Sequence, residues 1–485
     1  MQLTSPDKLS ASMEACSSSC TSLMFFNELG GFGSSDALVS TRYSEALEQT
    51  VVDYATLNQK AESLAYRLTQ TFSQPSRTAE QRCLVAIKMH NTVESVVDYL
   101  AALKANMPAL LINPELSDPY CEALYTHYVP NAVIEQNHVR VTHDTSSPIH
   151  PDVALLLPTS GSTGAPKHVV LSYANLQANA ESICEYLPIQ ASDRALSTLP
   201  LFYSYGLSVI NTHLYAGAAI VFSPYTVVER EFWQVLDAAK ISSMAGVPHT
   251  YDMLLKLRFT RRDMPHLRYL TQAGGKLNEE AVSHLAAFAA QHHKQFYVMY
   301  GQTEATARMS YADHNTLMNK PGTIGRAIPG GTLSIDEGEL CYRGPNVMMG
   351  YADSRRALSR FEPIDWLKTG DLATVDEEGD FFITGRRKRF IKVFGYRIDL
   401  DHMESVLSAH GYTAYCVGDD SQLCVVLATK ERSSQDETVI GKDVVAVLKK
   451  TTGLHPKAIR VKPVSELPLT ASGKKDYAAA MRWFD

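Results

Sequence analysis

Residues 158–167 read Pro158-Thr159-Ser160-Gly161-Ser162-Thr163-Gly164-Ala165-Pro166-Lys167, and this stretch constrains the fold more than any other. Leu155-Leu156-Leu157 runs into it as the end of a buried strand, and Val169-Val170-Leu171 leaves it as another. Glycines let backbone N–H groups face a guest without a side chain in the way. Hydroxyls donate to phosphate oxygens, and Lys167 adds a mobile positive charge. The stretch therefore reads as an anion cradle, with polyphosphate as the natural guest. Its spacing is not the G-x-x-x-x-G-K-[ST] loop. Taken alone, a turn rich in Ser, Thr and Gly reads equally well as a plain loop.

A chain of 485 residues is too long for one compact core, so two or more domains are expected. With 45% hydrophobic and 20% charged residues, it does not have the composition of a disordered chain. The net charge of -7 gives no general attraction to nucleic acid or to an acidic membrane. Of the eight cysteines only Cys16 and Cys20 are close, and they have no second pair nearby. Reduced thiols are expected rather than a zinc site. No apolar run reaches membrane-spanning length, and Met1 to Cys20 is polar without a hydrophobic signal core. The expectation is a cytoplasmic protein.

Upstream of the cradle, Tyr54 to Tyr66 has the helical spacing of Leu57, Ala61, Leu64 and Ala65. Cys83 to Ile87 and Pro108 to Ile112 read as strands, with a helix over Thr92 to Ala105 between them. Strand, helix, strand implies a parallel α/β layer. Gly30 to Gly33 reads as a loop and His138 to Asp152 as a polar connector. Downstream, Tyr173 to Tyr186 reads as a helix. Leu199-Pro200-Leu201-Phe202-Tyr203-Ser204-Tyr205-Gly206 reads as a rigid aromatic turn lining something apolar, or equally as core filling. Ile241 to Met244 runs as a strand toward a helix through Ala245-Gly246-Val247-Pro248, and Gly246 marks a close backbone approach. The strand Leu267 to Gln272 ends in Ala273-Gly274-Gly275, and a glycine pair at such an end often borders a ligand crevice.

Phe296 to Tyr300 is strand-like and opens into Gly301-Gln302-Thr303-Glu304. The ring of Tyr300 suits stacking on a base, the hydroxyl a phosphate and the carboxylate Mg²⁺. From Pro321 to Thr384, short strands and Gly/Pro turns predict a small β-rich subdomain. It contains Thr369-Gly370-Asp371, where a lone loop aspartate is ordinarily a turn former. Gly385 to Lys392 is strongly basic, which reads as a solvated face or, weakly, as a nucleic-acid patch. The apolar residues Phe390, Ile391, Val393 and Phe394 argue for a strand that opens a second domain. Within it, Ser433 to Thr438 reads as a polar loop, and Gly473-Lys474 as a mobile tail.

Five of these segments stand together in an order that resembles the adenylate-forming superfamily: acyl-CoA synthetases, peptide-synthetase adenylation domains and firefly luciferase. They are the cradle, the aromatic turn, Tyr300 to Glu304, Thr369 to Asp371, and the Gly385 to Arg397 segment with Gly473-Lys474. The resemblance covers the chain from about Thr50 onward. It implies an α/β fold with a large N-terminal domain over 1–385, made of stacked α/β subdomains to about residue 320 and a β-rich subdomain over about 321–385. A smaller, mobile α+β lid domain would span 386–485.

The resemblance also implies roles. Thr159, Ser160, Gly161, Ser162, Thr163, Gly164 and Lys167 would cradle the phosphates of ATP. Gly274 and Gly275 would wall the adenine, with Tyr300 stacked on it and Gly301 and Gln302 beside it. Thr303 would touch the α-phosphate, Glu304 would hold Mg²⁺, and Asp371 with Arg386 would take the ribose. Lys388 falls at the hinge, Lys392 and Gly395 on the thiol path, and Lys474 is the mobile catalytic lysine. Lys475 stands where the family commonly has an aliphatic residue. The acid pocket would comprise Tyr203, Tyr205, Asn211, His213, Gly246, Val247, Gln272 and Ala273. His213 reads either as a sensor of a polar substituent or as a packed histidine.

The implied reaction is activation of a carboxylic acid by ATP and Mg²⁺ to an acyl-adenylate, then transfer of the acyl group to coenzyme A or a carrier-protein phosphopantetheine. Phe202 to Tyr215 has no Asp or Glu, which speaks against recognition of an ordinary α-amino acid. No carrier module follows Asp476, so a carrier would be a separate partner. The alternatives are transfer to a non-thiol acceptor such as an amine, a luciferase-like oxidation, or a non-catalytic nucleotide-binding relative.

Overall fold

The computed structural model describes residues 24–43, 46–73, 81–143, 147–158, 167–386, 389–393, 396–419, 421–429, 437–452, 454–471 and 473–484. Cys16, Cys20, Thr159 to Gly164, Lys388 and Gly395 lie outside them, as do the side chain of Lys392 and residues 433–436 of the expected polar loop. The rest of that loop, Glu437-Thr438, begins the helix Glu437–Thr452.

Among the described residues a seven-stranded sheet carries the cradle's flanks. Its order is Gly350–Ala352, His168–Ser172, Val153–Pro158, Ala109–Ile112, Val85–Lys88, Ala132–Glu135 and His138–Val141. The strands Val85–Lys88 and Ala109–Ile112 pair in parallel across the helix Val93–Lys104, as the strand-helix-strand pattern predicts. Alternation explains the uninterrupted leucines. Leu155 and Leu157 enter the core that lies between the two large sheets, and Leu156 enters the core on the opposite face.

The second large sheet has nine strands, in the order Arg326–Ala327, Ser310–Asp313, Gln295–Tyr300, Tyr269–Gln272, Ser243–Gly246, Arg194–Ser197, Ala219–Phe222, Asp36–Tyr43 and Leu47–Asp53. The helices Tyr54–Phe72, Val93–Lys104, Tyr173–Tyr186 and Ser204–Tyr215 lie in the core shared by both sheets. Arg230–Ala238, Pro248–Lys256 and Glu279–Gln291 cover the far face of the nine-stranded sheet. Tyr173–Tyr186 begins where Ser172 and Asn175 make a reciprocal capping box, which fixes its start.

Two expectations change. His138 to Asp152 is not wholly a connector, because His138–Val141 pairs antiparallel with Ala132–Glu135 at the sheet edge. An edge strand facing water carries polar residues, and so lacks an apolar signature. Its turn residues Gln136 and Asn137 have φ of 48° and 66°, the twist that a tight hairpin favours. Gly30 to Gly33 is mostly a short 3₁₀ turn, Leu29–Phe32, rather than open loop.

The β-rich segment forms a four-stranded antiparallel sheet of Thr332–Asp336, Glu339–Arg343, Leu367–Val375 and Phe381–Arg386. Beyond it stand the hairpin Phe390–Val393 with Tyr396–Asp399, the helices Leu400–Ala409 and Glu437–Thr452, and a three-stranded sheet of Ala414–Gly418, Leu423–Ala428 and Ile459–Val464. These elements share a core of their own. The Gly473-Lys474 segment is no open tail. Leu469 bridges Lys475 across a tight hairpin, closed by Gly473 N–H donating to Thr470 O and Thr470 N–H to Lys474 O, both at 2.8 Å.

Candidate active site

The strand Gln295–Tyr300 delivers the Tyr300 to Glu304 segment and then turns back into Ser310–Asp313. The return is tight. A Cβ on Gly301 would sit 1.7 Å from the carbonyl oxygen of Ala307, so only glycine fits. Thr306 and Ala307 both hold positive φ, 54° and 100°. A residue from the β-rich side keeps this strained loop in place. Asn346 is buried, and its Nδ2 donates to Ala305 O at 2.7 Å and Arg308 O at 2.8 Å. Tyr342 donates to its Oδ1 at 2.8 Å, and Met348 N–H donates to Glu304 O at 2.9 Å. Each such bond contributes about 1 kcal/mol. Thr303 thereby faces Ser204 at the start of the helix Ser204–Tyr215, with the two hydroxyl oxygens 3.2 Å apart.

Asp371 is buried on the strand Leu367–Val375, directly opposite Arg386 on its neighbour. The Arg386 Nε lies 2.9 Å from its Oδ1, Tyr300 donates to Oδ2 at 2.6 Å, and Gln302 Nε2 donates to the same oxygen at 3.2 Å. Burial and the adjacent carboxylate push the Tyr300 hydroxyl pKa far up, so it stays a donor. Tyr300, Gln302, Asp371 and Arg386 thus come together. Glu304 stands beside another pair. Tyr351 donates to its Oε1 at 2.8 Å, and Lys167 Nζ sits 3.7 Å from the centre of the Tyr351 ring. A cation over an aromatic face at a partly exposed site is worth about 0.5–1 kcal/mol. Tyr351 therefore joins the end of the cradle to Glu304.

Lys474 reaches this site from the C-terminal hairpin. Its Nζ lies 4.5 Å from the ring centre of Tyr203. A Cβ built on Gly274 would lie 2.6 Å from the Tyr203 hydroxyl and 3.6 Å from Lys474 Cε, and Gly274 holds φ of 84°. Glycine is needed there for both the turn and the approach of the lysine. Gly473 packs against Val247. Desolvation, then the nearby Arg386, lower the Lys474 pKa to about 8, against a weaker opposing pull from Glu304. Lys475 turns the other way. It pairs at 2.7 Å with Glu404, which also takes Arg389 at 3.0 Å, the Tyr477 hydroxyl at 3.1 Å and the Cys416 N–H at 3.0 Å.

The remaining pocket residues surround the helix Ser204–Tyr215. Tyr205 is buried and donates to Thr271 O at 2.9 Å. Gly246 meets the Tyr251 ring closely, and Gln272 braces the glycine turn by donating to Gly275 O at 2.9 Å and Ala273 O at 3.2 Å. Asn211 borders a cavity with Asn179, Ser204 and Ser208. Both ring nitrogens of His213 have partners, Val209 O at 2.8 Å and the Tyr269 hydroxyl at 3.0 Å, and burial lowers its pKa to about 4. It is a neutral, packed histidine at physiological pH. Sequence reasoning passed over Asn346, Tyr351 and Arg308. The one available signal was Arg308, a lone charge within Ala305 to Ala312.

The residues around Glu304 fit Mg²⁺ rather than a protein-caged metal. Among the described residues no three His, Cys, Asp or Glu side chains gather as a cage. Mg²⁺ typically takes one or two carboxylates together with waters and substrate phosphates. Among the described residues no helix is long and apolar enough to cross a membrane.

The family model described as "AMP-binding enzyme" matches residues 134–352. The chain is 28% identical over 461 residues to the oxalate–CoA ligase of Arabidopsis thaliana, covering 81% of this chain and 86% of that one. It is 28% identical over 327 residues to the 2-succinylbenzoate–CoA ligase of Listeria innocua, covering 66% and 68%. The solved structure of the o-succinylbenzoate CoA synthetase of Bacillus subtilis with its acyl-adenylate intermediate superposes with a TM-score of 0.72 at 22% identity, over 93% of this chain and 96% of that one. ATP-bound MatB of Rhodopseudomonas palustris gives 0.73 at 20% identity, over 95% and 99%. Residues 134–352 thus match the AMP-binding enzyme family, the chain is similar along most of its length to CoA ligases, and its fold is that of the solved CoA synthetases.

Proposed function

We propose that this chain is an AMP-forming acid–thiol ligase. The observation that carries the reading is Lys474, a half-buried cation delivered by the C-terminal hairpin onto Gly274 and Tyr203, within electrostatic reach of Glu304 and Arg386. In the first half-reaction a carboxylate oxygen attacks the α-phosphorus of ATP, the bond to the bridging oxygen breaks, and pyrophosphate leaves. An anion approaches an anion, so repulsion must be offset. Lys474 places its charge where negative charge grows, and Thr303 donates from the fixed loop. Mg²⁺, when bound at Glu304, neutralises charge on the leaving phosphates. No general base is required, because a carboxylate is already ionised at neutral pH. Asp371 accepts from the ribose hydroxyls, with Arg386 holding it in place. The cradle residues Thr159 to Gly164, with Lys167, take the outer phosphates.

In the second half-reaction a thiol sulfur attacks the acyl carbon, AMP leaves and the thiol proton is released. Residues 386–485 act as the lid domain, turning at Lys388 to withdraw Lys474 and admit the thiol past Lys392 and Gly395. The acceptor is coenzyme A or the same phosphopantetheine arm on a carrier protein. Pyrophosphate release from ATP and Mg²⁺ across a panel of carboxylic acids, with and without coenzyme A, tests the reading. The expected outcome is acid-dependent release that accelerates with a thiol acceptor. A slow release that coenzyme A leaves unchanged but a phosphopantetheine-bearing carrier protein accelerates assigns the acceptor to a carrier, and none with any acid or acceptor refutes the reading.

A further inference from the structure

Arg308 is the largest of the fully buried side chains, only 2% exposed. A guanidinium is charged at all ordinary pH, so a buried one needs compensation. Among the described residues the other buried arginines, Arg82 and Arg355, and the partly buried Arg389 receive it. Arg82 donates to the carbonyls of Asn106, His150, Pro151 and Val153, to Asn106 Oδ1 and to the Tyr173 hydroxyl. Arg355 donates to three oxygens, and Arg389 pairs with Asp401 and Glu404. Among the described residues the only oxygens that Arg308 meets are neutral hydroxyls: it donates to Ser208 Oγ at 2.9 Å and to the Tyr186 hydroxyl. Its other Nη meets the weak acceptor Met299 Sδ at 2.7 Å. The Tyr205 ring lies 4.5 Å from its Cζ, and Nε has no partner. Among the described residues no carboxylate pairs with it.

Its position gives this shortfall a meaning. Arg308 lines a cavity with His213, Thr271, Tyr269 and Ala245, between the helix Ser204–Tyr215 and the strands Ser243–Gly246 and Tyr269–Gln272. His213 adds no charge there, because it is neutral and satisfied. Two rings separate Arg308 from Lys474. Lys474 stands over Tyr203, the Tyr203 and Tyr205 rings meet edge-on at 6.2 Å, and Arg308 stands over Tyr205. A buried cation thus stands two tyrosine rings away from Lys474.

We infer that Arg308 is a recognition site for a second carboxylate, so that the acid activated by this enzyme is a dicarboxylic acid. This rests on the ligase reading above. One carboxylate lies at Lys474 and Thr303 and is activated. The other meets Nε and an adjacent Nη side-on, the geometry that a guanidinium offers a carboxylate. The second carboxylate takes no part in bond making.

The test uses chain-length pairs: propionate with malonate, butyrate with succinate, valerate with glutarate. Binding to the full-length protein is measured by calorimetry, and turnover by ATP–pyrophosphate exchange. In at least one pair the diacid is expected to bind about tenfold tighter or more, the scale of a charge-assisted hydrogen-bonded contact. In Arg308→Met the ratio of diacid to monoacid affinity falls toward one. Arg308→Lys, which keeps the charge but not the fork, keeps part of the ratio and guards against a variant that does not fold. Equal binding across every pair, or a ratio unchanged in Arg308→Met, overturns the inference. So does an absence of binding to any diacid. Exchange with monoacids alone overturns the diacid site and leaves the ligase reading standing. Charge-selective binding with no exchange for any acid does the reverse.

Discussion

Lys474 and Lys475 are neighbours with opposite duties. The first is a cation already partly stripped of water, with its pKa lowered to about 8. A lysine with a depressed pKa is charged below that value and loses its proton as pH rises through it. In the proposed role, adenylation needs the charged form. The kcat/KM for ATP in pyrophosphate exchange, which reports the free enzyme, is therefore expected to be flat at neutral pH and to fall through about pH 8. In Lys474→Arg that limb disappears, since arginine stays protonated. Lys474→Ala is expected to slow adenylation by roughly 10²–10³-fold, the scale of one lost transition-state contact. Thioester formation from preformed acyl-adenylate should suffer much less, and equal losses in both steps would contradict the assigned role.

At the scale of elements, the loop between Gln295–Tyr300 and Ser310–Asp313 illustrates what can be read in a sequence. Its residue types were legible, because Tyr300, Gly301, Thr303 and Glu304 sit in one contiguous run, and a strand ending in such a run announces a site. So were Tyr173–Tyr186 and the parallel strands at Val85 and Ala109, where apolar spacing alone decides the element. What holds the loop was not legible. Asn346 is bonded to residues about forty positions earlier in the chain, and no local pattern marks it out from any other loop asparagine. Tyr351 and Arg308 owe their importance to similar long-range packing. A direct test of the loop's geometry is Gly301→Ala, whose added methyl would overlap the Ala307 carbonyl. Pyrophosphate exchange is expected to fall by about a hundredfold, as for an ångström of misplacement. Gly31→Ala is the control, because nothing lies within 4 Å of its added methyl.

Across the whole molecule, Glu404 is the residue that gives the C-terminal part a single handle. Arg389 follows the proposed hinge, Lys475 follows Lys474, and both bind the same carboxylate together with Tyr477. A rotation at that proposed hinge would thereby be transmitted to the hairpin instead of being absorbed by it. In Glu404→Gln the hairpin amides of Thr470 and Gly473 are expected to exchange hydrogen faster than in the wild type. Adenylation should drop by about tenfold, through loss of placement. Unchanged exchange at those amides would mean that the hairpin is held by its own backbone bonds alone.

That hairpin also sets a rule about length. Lys474 stands at the bend and Lys475 in the bridge to Leu469, and the two face opposite ways, one toward Tyr203 and the other toward Glu404. Inserting one residue between Lys475 and the helix cap Asp476 would change which lysine meets Glu404. The spacing of this turn is thus as much a part of the chemistry as the amine it carries.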